Sequence, residues 1–219
     1  MSAVAAAPAP VAPAAGIDRR GIATLAVGHA CADVAQGAVP ALLPFLIRDR
    51  GWSYGATAAL VLAMTASSSL LQPLFGWLAD RRSLAWLLPG GVVVAAVGIA
   101  LAGVVSDSQP LTFALVAVAG LGVGAYHPEG ARYANYVSGA QRASGMSLYS
   151  VGGNIGFALG PILVTPLVLV AGLHGTLWLL PPLLVVALLL ARELPRLRGF
   201  HPQQAKRDAG AADPPQDRW

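Results

Sequence analysis

The sequence predicts an all-α, polytopic membrane protein of six transmembrane helices. Three observations carry that expectation: only 11% of the 219 residues are charged against 56% hydrophobic, six long apolar segments follow one another, and Lys and Arg fall on alternate sides of them. Soluble domains average about 25% charged residues, so this composition belongs with chains whose solvent is largely lipid. In lipid the backbone must satisfy its own polar groups, which makes long apolar segments helices and not strands.

Residues 1–20 begin with MSAVAAAPAPVAPAAG, an Ala/Pro stretch without an early positive region or a Pro-free apolar core. It reads as a disordered cytoplasmic lead-in and not as a cleaved signal. A transmembrane domain over 21–191 follows, with helices at about 21–47, 53–79, 84–105, 111–136, 143–170 and 174–191, each close to or above the roughly 20 residues that span a hydrocarbon core. The breaks RDRGWS, DRRS, SDSQP, SGAQR and AGLHG are short and mostly turn-like. Residues 192–219 are polar and Pro-rich and read as a disordered cytoplasmic tail.

The charges orient these elements. One side carries Arg19, Arg20, Arg81, Arg82, Arg132, Arg142, Arg192, Arg196, Arg198, Lys206, Arg207 and Arg218, and the other only Arg48 and Arg50, twelve against two of the fourteen basic residues. By the positive-inside rule both termini are cytoplasmic. The pI near 9.7 does not point to nucleic acid, because the basic residues form no stripe or aromatic-interleaved patch. Cys31 is the one cysteine, which rules out a disulfide framework and a Cys-based metal site and leaves it as a small apolar filler.

Several polar residues lie deep in these helices. In the first, His29, Asp33 and Gln36 share one face with Pro40 further along, and ionisable groups at such depth mark a substrate or proton path or satisfy one another. The fourth helix ends in GAYHPEGARYANY. At 1.5 Å per residue His127 lies about 14 Å from the cytoplasmic end, level with His29 and Asp33 at about 12 and 18 Å. Pro128 withholds a donor from the carbonyl four residues back, so a kink is expected that turns both His127 and Glu129 towards one cavity. A structural Glu129–Arg132 ion pair at i,i+3 is the competing reading.

In the fifth helix, GGNIGFALGP places Gly152, Gly156 and Gly160 at four-residue spacing, a face without side chains on which a neighbouring helix packs closely. Pro161 follows and favours a bend, and Asn154 lies off the stripe with an amide to offer a cavity. In the loop GWLADRRS, Asp80 and Arg81 form either a solvated stop or a gate. Enzymatic readings find no support. GLGVGAYHPEG departs from a dinucleotide fingerprint at His127 and lies in no strand–turn–helix context, and the H-x-E at 127–129 lacks the P-C-x-x-C of a zinc deaminase. No catalytic residue, metal or cofactor is expected.

GWLADRR resembles the signature between helices two and three of the major facilitator superfamily, although the usual Gly and the later basic pair are missing. GGNIGFALGP resembles the superfamily's antiporter motif. GHACADVAQGAVPALLPFL, SSLLQPLFGWLADR, GVGAYHPEGAR and MSLYSVGGNIGFALGP together look like the fosmidomycin resistance protein family of drug exporters, over about residues 25–190. The resemblance implies one six-helix half, a 3+3 inverted repeat, of a twelve-helix transporter with its substrate site between the halves. It implies a cytoplasmic (inner) membrane antiporter that exports a small anionic, fosmidomycin-type drug on the proton gradient. Asp33 and Glu129 would carry protons, and His29, His127 and Arg132 would contact the substrate or tune those carboxyls. The partners implied are the lipid bilayer, the small-molecule substrate and a second six-helix half, as a separate chain or a second copy. The alternative is a non-transporting six-helix subunit or remnant that associates with a full transporter.

Overall fold

The computed structural model describes residues 16–81 and 83–200, all of them helix, turn or loop, with no strand among the described residues. Helix α1 (Arg19–Arg50) starts at Asp18, whose carboxylate accepts from the Gly21 N–H at 2.6 Å. It ends at Gly51, whose φ of 63° is the left-handed conformation a glycine C-cap supplies without strain. Thirty-two residues extend about 48 Å, longer than a hydrocarbon core about 30 Å thick. Helix α2 (Tyr54–Leu70) is capped by the Ser53 hydroxyl and is followed by α3 (Gln72–Arg81), α4 (Leu87–Val104), α5 (Gln109–Val137) and α6 (Arg142–Ala171). A 3-10 segment (Gly172–Leu179) leads into α7 (Leu180–Arg198).

These elements correct the sequence expectation at three places. The single helix expected over 53–79 is interrupted at Leu71, because Pro73 has no N–H to continue the ladder. The last helix begins at Leu180 and not near 174, since Pro181 and Pro182 fit only the first turn of a new helix. It also runs on to Arg198, through residues expected to be disordered. Arg20 bonds Glu193 there, Arg196 bonds Asp18, and Leu197 is fully buried. Residues 1–15 and 201–219, the remainder of the two expected disordered ends, lie outside the described residues.

Five ranges are long and apolar enough to cross a membrane: Arg19–Arg50, Tyr54–Ala79, Leu87–Val104, Gln109–Val137 and Arg142–Arg198. The last covers 57 residues and contains both α6 and α7. Those two helices run in opposite directions against α1. Gly152 and Gly156 lie beside Ala26 and Ala30, in the same order along both chains, whereas Leu190 lies beside Gly28 and Glu193 beside Arg20. Helix α5 is antiparallel to α1, held by Tyr126 Oη donating to the Leu25 carbonyl at 2.6 Å and the Asp18 N–H to that of Val137 at 2.8 Å. Large apolar side chains such as Leu62, Ile155, Ile162 and Leu169 remain exposed on the outside, as a lipid-facing surface requires.

Close helix packing depends on missing side chains. A Cβ at Gly152, Gly156 or Gly160 would collide with the backbone of α1 at Ala26, Ala30 or Gly37. We predict that Gly156→Ala destabilises the purified protein by about 1–3 kcal/mol through overpacking. Gly55→Ala, where a Cβ meets only Ser53 Oγ at 3.9 Å, should change stability by no more than about 0.5 kcal/mol. Equal thermal midpoints for the two variants would contradict this packing.

Asp18 ties the ends together. Burial pushes its carboxyl up, but the Arg196 guanidinium and the Gly21 N–H outweigh burial and hold it below the ordinary 3.8. A carboxylate lowered in the fold stabilises it above its unfolded pKa of about 3.9, and that contribution disappears as pH falls through the lower folded value. Wild type should therefore lose stability more steeply than Asp18→Asn between about pH 5 and pH 3. Parallel acid denaturation curves would show that the cap carries no such linkage.

Candidate functional site: a buried histidine–aspartate cluster

Helix α1 places His29 and Asp33 one turn apart, with His29 Nε2 3.3 Å from Asp33 Oδ2. Helix α5 brings His127 to the same point, its Nε2 3.4 Å from Asp33 Oδ1 and 3.2 Å from His29 Nε2. Residues 94 or more apart in sequence thus converge because Tyr126, the neighbour of His127, is anchored on the α1 backbone at Leu25. The two imidazoles meet edge to face, with ring centres 4.8 Å apart.

Helix α6 supplies the floor. Tyr149 stacks on His29 with centres 4.2 Å apart, and its backbone carbonyl accepts from His29 Nδ1 at 2.9 Å. One turn further along α6, Gly153 lies against His29 and Asp33, leaving the space that a Cβ would fill. His127 is held in turn by Nδ1 donating to the Val123 carbonyl at 2.7 Å. Side-chain exposures of 9% for His29, 13% for Asp33 and 25% for His127 leave the cluster open from the His127 side.

The remaining expected site residues are placed differently. Helix α5 continues through Pro128, and His127 and Glu129 do not share one cavity as expected: His127 lies against Asp33, and Glu129 against Arg132. Two residues apart on a continuous helix, their side chains diverge. Glu129 is instead fully buried with Arg132, Nη1 to Oε2 at 3.8 Å, and Arg132 donates to the Ala79 carbonyl at the end of α3. Tyr133 joins this second polar group through a 3.3 Å contact with Ser83. Gln36 is half-buried on α1, one turn beyond Asp33, and Asn154 is exposed on α6.

Arg81 lies over the Trp77 ring at 3.8 Å, while the side chain of Asp80 and all of Arg82 lie outside the described residues. Pro161 falls inside α6, one residue beyond Gly160. Sequence reasoning passed over Tyr126, Tyr149 and Gly153. The spacing of Tyr149 and Gly153, four residues apart and off the packing stripe, was the available signal for a second face on α6.

The fold and this site together define a multi-pass membrane protein with an ionisable cluster inside its helix bundle. The family model for the Major Facilitator Superfamily matches residues 25–215, and the chain belongs to that superfamily. It is 30% identical over 154 residues to the uncharacterized MFS-type transporter YfnC of Bacillus subtilis (strain 168), covering 70% of this chain and 37% of that protein. It is 28% identical over 171 residues to the fosmidomycin resistance protein of Escherichia coli (strain K12), covering 78% of this chain and 42% of that one. The matched region thus spans about two-fifths of the length of these curated relatives. No solved structure matches the chain significantly.

Tyr126 is the anchor of the cluster. Tyr126→Phe removes a buried hydrogen bond to Leu25 and should cost about 1 kcal/mol while displacing His127. A Phe variant as stable as wild type would show that this bond does not hold α5 on α1.

Proposed function

We propose that the chain forms one half of a proton-coupled exporter of small anionic compounds, working by alternating access against a second six-helix bundle. The single observation that carries this reading is the His29–Asp33–His127 cluster, inside a bundle of the Major Facilitator Superfamily. A carboxylate and two imidazoles away from bulk water constitute a place where charge can be taken up and released as the protein rocks.

In this reading α6 and α7 are two separate crossings, which gives six helices arranged as a 3+3 inverted repeat. Both termini face the cytoplasm, as the twelve-to-two bias of basic residues favours, and the membrane is the cytoplasmic (inner) one. The second bundle would come from further chain, a separate chain or a second copy. Asp33 carries the coupling proton, and His29 and His127 tune it or contact the substrate. Glu129 was also expected as a carrier. Its separation from the cluster suits a gate instead, since its partner Arg132 reaches the end of α3 beside Asp80 and Arg81. Similarity to the fosmidomycin resistance protein favours a phosphonate drug as substrate.

Export is tested in a drug-sensitive host that expresses the chain with a second six-helix half. Fosmidomycin accumulation should fall relative to empty-vector cells, and Asp33→Asn should return it to the control level with normal membrane expression. Unchanged accumulation with every source of the second half would rule out an exporter of this drug. Retained pH-dependent export in Asp33→Asn would remove Asp33 as the proton carrier.

A further inference from the structure

His29 Nδ1 and His127 Nδ1 each face a backbone carbonyl, at 2.9 and 2.7 Å. A carbonyl only accepts, so each Nδ1 carries its ring's proton. In the neutral rings both Nε2 atoms are then bare lone pairs, and they point at each other across 3.2 Å. Asp33 adds one carboxylate oxygen at 3.3 Å from the first and another at 3.4 Å from the second. Acceptors gathered in this way repel unless a proton or a metal ion lies among them.

The donor set of the cluster indicates which kind of metal ion would fit. A tetrahedral ion with nitrogen and oxygen ligands at about 2.0–2.1 Å separates neighbouring donor atoms by roughly 3.3–3.4 Å. The two Nε2 atoms stand 3.2 Å apart, close to that spacing, and the Asp33 carboxylate spans them with Oδ2 3.3 Å from His29 and Oδ1 3.4 Å from His127. One ligand atom from each residue lies within 4.8 Å of the others, so a bound ion would draw one carboxylate oxygen inwards. Both imidazoles also make the outer contact usual for metal-bound histidines, an Nδ1–H donated to a backbone carbonyl that aims Nε2 at the ion. Gly153 keeps the adjoining space clear, since a Cβ there would come within 2.6 Å of His29 Nε2 and 2.7 Å of Asp33 Oδ2. Two imidazoles and a carboxylate suit zinc and its first-row neighbours better than magnesium or calcium, which favour all-oxygen shells.

We propose that His29, Asp33 and His127 form a binding site for one divalent first-row transition ion, Zn²⁺ being the reference case. The fourth position is left to water or to a donor from outside the bundle. Sequence alone gives no hint of this site, because its ligands are split between α1 and α5 without a local motif. Binding of the ion follows from donor geometry and does not require that the chain moves a substrate.

The experiment uses the full chain, purified in detergent with any affinity tag removed, loaded with Zn²⁺ or Co²⁺ and desalted. Elemental analysis should give one ion per chain, in wild type and in a His174→Ala/His201→Ala variant that lacks the other two histidines. The Co²⁺ form should show the intense visible bands of tetrahedral nitrogen and oxygen ligation. His127→Gln and Asp33→Asn should bind at least about 100-fold more weakly, beyond what loss of an outer-shell contact causes. No retained ion in wild type, a six-coordinate Co²⁺ spectrum, or binding lost with His174 and His201 each overturns the site, and none of these needs the ligand variants to fold. Metal binding without export would count against the transport reading alone, and export without metal binding against this site alone.

Discussion

The rest of the structure depends on how closely α6 approaches α1. Gly152, Gly156 and Gly160 let the two backbones meet where any Cβ would collide. Without a hydrophobic driving force between helices in lipid, this close packing has to supply much of the association. The same approach brings the Tyr149 carbonyl within 2.9 Å of His29 Nδ1 and lays its ring on the imidazole. The glycines that look purely structural therefore also fix which ring nitrogen of His29 carries its proton and set the floor of the polar cluster.

A second consequence is the division of the polar residues into two layers. His127 and Glu129 are two positions apart on α5, yet they belong to different groups. One faces α1, and the other is buried with Arg132, which bonds the end of α3. An unbroken helix keeps such neighbours on opposite sides. The upper cluster thus links α1, α5 and α6, while the lower one links α5 to the segment that carries the α3–α4 loop. Movement of α5 would be felt by both, which gives the bundle a physical route between its interior and the end that carries the α3–α4 loop.

Membership of the Major Facilitator Superfamily fits this arrangement, and the chain matches its relatives over about two-fifths of their length. The cluster is most open on the His127 side, where exposure reaches 25%. In such a site the ring tautomers matter as much as the charges, because both imidazoles present acceptors to Asp33.

Composition, the apolar segments and the placement of Arg were enough to read an all-helical membrane protein from the sequence. Rise per residue put His29, Asp33 and His127 at one depth, because length along a helix is a local quantity. Local rules also erred where several prolines were concerned. Pro73 interrupted a helix expected to be whole, Pro181 and Pro182 delayed the last helix, and Pro128 did not bring Glu129 to the side of His127. The extension of α7 to Arg198 escaped notice because its ion-pair partners, Asp18 and Arg20, lie at the other end of the chain. Depth came from the sequence, whereas azimuth came only from the tertiary structure. The direction in which each side chain points is decided by neighbouring helices, here by a tyrosine bonded to Leu25 and a row of glycines against α1, and these contacts join residues remote in the chain.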